Sequence, residues 1–183
     1  MRTVEENKKL CEKYPFLKCD DDYKYTWADD MPKGWWMAFG EMLCNEIKAE
    51  LIKWKFLDEY QIVQIKEKYG ELRWYDNGVP NGCKVWDIIS KYSVLSENIC
   101  IVCGKPDVPA MTYGWICPLC EKHAQYKDEY EACAEKQYPH TMENFRKYSK
   151  CNTKGEWVDC EVYIGDTAQK IRDVWNKRQG VNG

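Results

Sequence analysis

Histidine is scarce in this chain: of its 183 residues only His123 and His140 are His. With so few of the side chains that most often carry protons near neutral pH, an acid–base enzyme has little to work with. The phosphate-cradling Gly-x-x-x-x-Gly-Lys-Ser/Thr, Gly-x-Ser-x-Gly and His-Glu-x-x-His patterns are all missing. The nucleobase-deaminase pattern fails as well, because Cys117-Pro118-Leu119-Cys120 lacks a leading proline and no His-x-Glu stands upstream. The expectation is a protein that binds and does not catalyse. Charges interrupt every apolar stretch, so none reaches the roughly 18–20 residues of a membrane span and no membrane partner is expected. The opening MRTVEENKKL has no apolar segment of the kind that directs secretion, which points to a reducing, cytoplasmic setting. A basic excess is missing too: the net charge is −3, so an autonomous duplex binder is not expected and any nucleic-acid contact must use a local patch. There is no internal repeat and no low-complexity tract.

Cysteine, in contrast, is plentiful, with 11 in the chain. Residues 100–123 read CIVCGKPDVPAMTYGWICPLCEKH and hold two Cys-x-x-Cys pairs, Cys100/Cys103 and Cys117/Cys120, separated by 13 residues. Two residues between cysteines let one tight turn aim both sulfurs at a single ion, and two such turns close a tetrahedron of thiolates around zinc. Gly104 suits the knuckle, and Tyr113-Gly114-Trp115-Ile116 reads as a short strand delivering the second pair. A redox dithiol or unpaired structural thiols are the alternatives. His123 could replace a thiolate, although its position also suits a solvated surface. Zinc held by four thiolates has no vacant position and is expected to be structural. Cys133, His140, Cys151 and Cys160 are the best set for a second metal site, but their spacing is irregular and buried free thiols are common.

The rest of the chain predicts an α+β fold: a helical body, a β-hairpin, a four-cysteine zinc ribbon and a C-terminal strand-helix extension. Thr3 and Glu6 form a capping box for a helix over residues 3–13, stopped by Pro15. Residues 19–30 carry five Asp against one Lys. Asp20, Asp21, Asp22, Asp29 and Asp30, interleaved with Tyr23, Tyr25 and Trp27, make either a solvated loop pinned by its rings or an acidic patch imitating phosphate. From 35 to about 55, Trp36, Phe39, Leu43, Ile47, Leu51 and Trp54 mark one continuous helical stripe. Residues 60–75 alternate as a hairpin turning at Tyr69-Gly70, with Val63 and Ile65 on one face and Leu72 with Trp74 on one face. Its Lys66, Lys68 and Arg73 form a basic strip, or merely a solvated face. A helix containing Val85, Ile88, Ile89, Tyr92 and Leu95 leads into the cysteines. Beyond His123 a helix, a second short helix from near Thr141, and a strand with Val158, Cys160, Val162 and Ile164 inward are expected. A last helix capped by Asp166 or Thr167 buries Ile171, Val174 and Trp175 and exposes Lys170, Arg172, Lys177 and Arg178. Residues 1–30, 31–125 and 126–183 are the expected segments.

KGWWMAFGEMLC, VQIKEKYGELRWY, SENICIVCG and GWICPLCEKH together resemble a family of small zinc-ribbon proteins of phages and of bacterial genomes carrying them. The likeness covers about residues 33–123 and implies a zinc ribbon, a mobile-element origin and a bacterial host cell, but no activity. Phage-type origin, compact size, the acidic aromatic patch and the missing catalytic set resemble anti-CRISPR proteins. The resemblance implies an inhibitor of a type II CRISPR effector nuclease or another nucleic-acid-handling host protein. Asp20, Asp21, Asp22, Asp29 and Asp30 would supply charge, and Tyr23, Tyr25 and Trp27 contact area, to block target DNA engagement or cleavage. The alternative is a zinc-ribbon DNA- or RNA-binding accessory or transcription regulator, using Lys66, Lys68, Arg73, Lys170, Arg172, Lys177 and Arg178 as phosphate contacts.

Overall fold

Thr3 does what its spacing to Glu6 predicts. In the computed structural model, which describes residues 2–112, 116–124, 145–151 and 156–180, Thr3 Oγ1 accepts the Glu6 N–H at 3.2 Å and the Glu6 carboxylate accepts the Thr3 N–H at 2.7 Å. This capping box starts helix α1 (Val4–Lys13), and Pro15 then diverts the chain into a 3₁₀ turn.

The expected helix from residue 35 to about 55 is interrupted. A single turn, α2 (Lys33–Trp35), passes into a π-turn (Trp36–Gly40) before regular helix resumes as α3 (Glu41–Lys53). A π-turn inserts a residue and rotates the helix before it relative to the helix after it. Trp35 is fully buried, while Trp36, expected in the stripe, lies half-buried with the Arg2 guanidinium 4.7 Å from its ring. The Trp36 indole lies over Gly40, where a Cβ would meet it at 2.5 Å. Phe39, Leu43, Ile47 and Leu51 hold the inward stripe as expected, but Trp54 ends exposed.

The hairpin forms as β1 (Ile62–Lys68) and β2 (Glu71–Asp76) about the Tyr69-Gly70 turn. A register shift between Ile62 and Gln64 corrects one detail: Val63 is turned out, 58% exposed, while Ile62 and Ile65 are buried. Leu72 and Trp74 are buried together, and α4 (Val85–Ser96) covers β2 by hydrogen bonds from the Leu72 N–H to Ser96 Oγ at 2.8 Å and from Ser93 Oγ to the Leu72 carbonyl at 2.6 Å. Among the described residues there are two further antiparallel pairs: β3 (Ala110–Thr112) with β4 (Ile116–Pro118), and β5 (Phe145–Cys151) with β6 (Trp157–Tyr163).

The strand expected around Val158 is β6, with Val158, Cys160 and Val162 half-buried and Asp159, Glu161 and Tyr163 exposed. The short helix expected from near Thr141 gives way to strand β5, the residues before Phe145 lying outside the described ones, as does the helix expected just beyond His123. The last helix, α5, spans Gly165–Arg178; Ile164 sits at its N-cap and no side chain caps it, so neither Asp166 nor Thr167 has the expected role. Asp166 instead accepts the Tyr163 hydroxyl at 3.1 Å. One buried cluster joins Tyr14 and Phe16, the α3 stripe, the inner hairpin face, α4, and Ile164, Ala168 and Ile171 of α5. The architecture is α+β, and among the described residues no helix is long and apolar enough to cross a membrane.

Candidate functional site

Cys100 comes directly after the α4 turn, and its chain doubles back so that the Gly104 N–H reaches the Cys100 carbonyl at 2.8 Å. Gly104 sits at φ +78°, a conformation that glycine adopts without penalty. The Ile101 N–H donates to the Pro118 carbonyl at 3.0 Å, tying this knuckle to β4. Past β4 the chain makes a tight turn, in which the N–H groups of His123 and Ala124 both donate to the Cys120 carbonyl, at 2.8 and 2.9 Å. The turn carries His123 back over Cys120.

The result is a cluster of Cys100, Cys103, Cys120 and His123, whose donor atoms all lie within 4.8 Å of one another. A tetrahedron with zinc–sulfur bonds of about 2.3 Å and a zinc–nitrogen bond of about 2.0–2.1 Å requires sulfur–sulfur edges of about 3.8 Å and sulfur–nitrogen edges of about 3.6 Å. Cys103 Sγ stands 3.8 Å from Cys120 Sγ, and His123 Nδ1 stands 3.6 Å from Cys100 Sγ and 3.1 Å from Cys120 Sγ. The set can hold a metal ion, and its soft sulfurs with one imidazole suit zinc. Burial works against the Cys100 thiolate, but the N–H groups of Cys103, Cys120 and Val102 outweigh it and hold the thiol below its ordinary value. Burial pushes the Cys103 thiol up to about 12.

The fourth member of the cluster is not the expected Cys117. Cys117 lies outside the cluster, on β4 opposite Met111, and its half-buried thiol is pushed up to about 11 by burial, with the negative charge of Glu67 adding to it. Cys117 is committed to a strand ladder, whereas Cys120 and His123 share one turn. His123, for which a solvated position was the other expectation, is half-buried in the site. The signal in the sequence is the spacing Cys120-x-x-His123, the same two-residue gap that the cysteine pairs use, and of the two positions open to His123 the structure has the one beside the thiols. In the other set considered, Cys133 and His140 lie outside the described residues, and Cys160 Sγ has the Val158 carbonyl at 3.8 Å.

Backbone contact docks the metal knuckle on the helical body. The Gly34 N–H donates to the Ile101 carbonyl at 2.7 Å and Trp35 Nε1 to the Ile99 carbonyl at 2.8 Å. A Cβ on Gly34 would stand 2.2 Å from the Cys100 oxygen, and one on Gly104 would stand 2.6 Å from the Gly34 oxygen. Helix α5 clamps the other side. Arg172 grips Asp107 through two hydrogen bonds of 2.8 Å, and Arg178 donates to the Cys103 carbonyl at 3.1 Å. Two of the four expected phosphate contacts on this helix are thus turned to the fold, while Lys170 and Lys177 are exposed.

The acidic loop meets cations and donors of its own chain, Asp29 inside the fold and Asp21 and Asp22 at the surface. Asp29 accepts the Thr26 N–H and hydroxyl, both at 2.9 Å, and pairs with Arg2 at 2.6 Å. Asp21 pairs with Lys18, Asp22 with Lys24, and Asp30 accepts the Tyr25 hydroxyl. Asp20 has one buried oxygen that receives no hydrogen bond. Trp27 packs against the core, and Lys18 lies 5.3 Å from the Tyr23 ring centre.

The outer face of the β1–β2 hairpin carries the opposite charge. Cross-strand partners there are Gln64 with Tyr75, Lys66 with Arg73, and Lys68 with Glu71. Glu71 is drawn aside, one oxygen accepting Ser93 Oγ at 2.6 Å and the other pairing with Arg73. Lys66 Nζ lies 5.4 Å from the Tyr75 ring centre and Lys68 Nζ 5.2 Å from that of Tyr69.

The fold and the cluster define an α+β protein with a Cys₃His set able to hold a metal ion. Comparison of the chain with protein-family models, with curated proteins and with solved structures finds no match in any of the three.

Proposed function

We propose that this chain is a zinc-stapled nucleic-acid-binding module, in which the metal holds the knuckle together and the β1–β2 hairpin makes the contact. The observation that carries this reading is the outer hairpin face, where Lys66, Lys68 and Arg73 stand together with one carboxylate, already engaged. A local cationic patch of this kind can bind phosphates on a molecule whose overall charge is negative. Zinc is assigned a structural role because three sulfurs and one imidazole fill four tetrahedral positions. The inhibitor reading drew its charge from residues 20–30. Asp21, Asp22 and Asp29 pair with cations of this same chain, so that loop presents less negative charge than its five carboxylates suggest.

The test is equilibrium binding of the metal-loaded protein to mixed nucleic acids across a salt series, with Lys66→Ala/Lys68→Ala beside it. Binding that falls as salt rises, and is lost in the variant at unchanged Tm, supports the reading. Salt-independent or undetectable binding removes it. Recovery from host lysate of a defence nuclease that stays bound after nucleic acid is digested favours the inhibitor instead.

A further inference from the structure

We infer that the outer hairpin face is a stacking platform for single-stranded nucleic acid, an inference that rests on the nucleic-acid reading and assigns it a ligand. The first observation concerns the turn. Tyr69 and Gly70 have φ of +56° and +76°, and a two-residue hairpin turn with both φ positive is ordinarily filled by Asn-Gly or Asp-Gly. A bulky ring at positive φ is costly and does nothing for the turn, and Tyr69 is 61% exposed. The tip is nevertheless held firmly. Glu67 accepts the Gly70 N–H at 2.6 Å, and Gly70 lies so close to Ile116 and Pro118 of the metal knuckle that a Cβ would meet them at 3.1 and 3.2 Å. An aromatic ring is thus presented to solvent on a supported tip, at a conformational cost that folding alone would select against.

The second observation is repetition along the hairpin. Tyr75, 46% exposed, stands on the outer face toward the other end. Each of the two tyrosines has its own lysine, Lys68 with Tyr69 and Lys66 with Tyr75. Trp86, 52% exposed, is anchored at the end of β2, where its Nε1 donates to Asp76 at 3.3 Å. One flat ring beside one ammonium matches the repeat of a single strand, a base to stack and a phosphate to neutralise. In a duplex the base faces are already stacked on each other, so the rings would have nothing to receive. Rings and ammonium groups meet bases and phosphates in the same way on either sugar, so the shared chemistry is that of a single strand, and the DNA and RNA arms of the experiment distinguish the two sources.

The experiment compares a labelled single-stranded DNA of roughly 12 nucleotides, the same sequence as duplex, and the same sequence as RNA, by fluorescence anisotropy on the metal-loaded full chain. Wild type, Tyr69→Ala, Tyr75→Ala and Lys66→Ala/Lys68→Ala are measured, with Tyr75→Trp as a variant that keeps a ring. The single strand is expected to bind at least tenfold more tightly than the duplex. Each tyrosine-to-alanine change should weaken single-strand binding by roughly tenfold, with Tyr75→Trp restoring it. Lys66 and Lys68, if each neutralises one phosphate, predict a log–log salt slope of about −1.4 on the single strand, at about −0.7 per phosphate. Equal binding of duplex and single strand, with no loss in the tyrosine variants, overturns this inference and leaves the nucleic-acid reading standing. A more than tenfold preference for the DNA or the RNA strand, with the tyrosine variants weakened on it, supports the platform and assigns the sugar. Loss of all three ligands removes both. Because Tyr69→Asn suits the turn better, its Tm should rise while its affinity falls; a fall in Tm would show that the ring serves the fold and not a ligand.

Discussion

Residues 19–30 and the β1–β2 hairpin look alike in sequence, each a short run of charges threaded with aromatic rings, yet the fold uses them in opposite ways. In the loop the carboxylates are spent on the chain itself: Asp29 closes a 3₁₀ turn against Thr26 and holds Arg2, and Asp21 and Asp22 hold neighbouring lysines. On the hairpin the lysines lie over exposed rings, and the one facing carboxylate is pulled away by Ser93 and Arg73. Charge written in a sequence is therefore not charge available to a partner. What decides is whether a counter-charge or an orphan backbone N–H lies within reach and how buried the pair is: Asp29 is drawn into the fold, whereas Asp21 and Asp22 are only partly neutralised at the surface.

The largest effect expected is the collapse of the hairpin side while the loop side stands. Chelation should unfold the knuckle, because metal binding to comparable sites is worth about 10–16 kcal/mol. The hairpin tip rests on β4 and Arg178 rests on Cys103, so hydrogen exchange should accelerate at Gly70 and through α5. Exchange at Asp29, on the loop side, should hardly change. His123→Ala should lose the metal and Cys117→Ser should keep it at full stoichiometry; the reverse pattern, read by metal analysis, would restore the four-cysteine arrangement. Gly34→Ala comes next. Its Cβ would collide with backbone and not with a flexible side chain, so a loss of about 3 kcal/mol or more is expected in denaturant unfolding.

Smaller effects separate the loop carboxylates from one another. Asp29→Ala removes a cap and a partly buried ion pair and should cost about 1–3 kcal/mol, measured by urea unfolding. Asp22→Asn should leave Tm unchanged. The smallest effect is a pH dependence. The hydrogen bond from Lys18 holds the Asp21 carboxyl below its ordinary 3.8. A lowered folded-state pKa adds stability above the unfolded value and loses it as pH falls through the folded one. Asp21→Asn should therefore narrow the Tm gap to wild type only below about pH 4. Both carboxylates are exposed, so a large Tm loss in either variant would mean that the loop is strained and held by its charges.

Much of the local structure was legible from residues close in sequence. Thr3 and Glu6 announced a capping box, Tyr69-Gly70 between alternating segments announced a hairpin, and the paired cysteines announced a metal knuckle. These features depend on contacts between residues a few positions apart, where spacing alone brings groups together. The π-turn was not legible, because the contact that accompanies it, Trp35 Nε1 to the Ile99 carbonyl, spans 64 positions. Nor was the strand at Phe145–Cys151, whose ladder depends on β6 and not on its own propensity.

By itself, the sequence determined an α+β chain with a hairpin and a sulfur-rich site able to hold a metal. Which imidazole or thiol completes that site, which arginines clamp it and which charges face outward were decided only by the tertiary structure. Alternation and turn spacing reach across a few residues, whereas His123 lies beside Cys100, and Arg178 beside Cys103, only because packing of the whole chain brings them there.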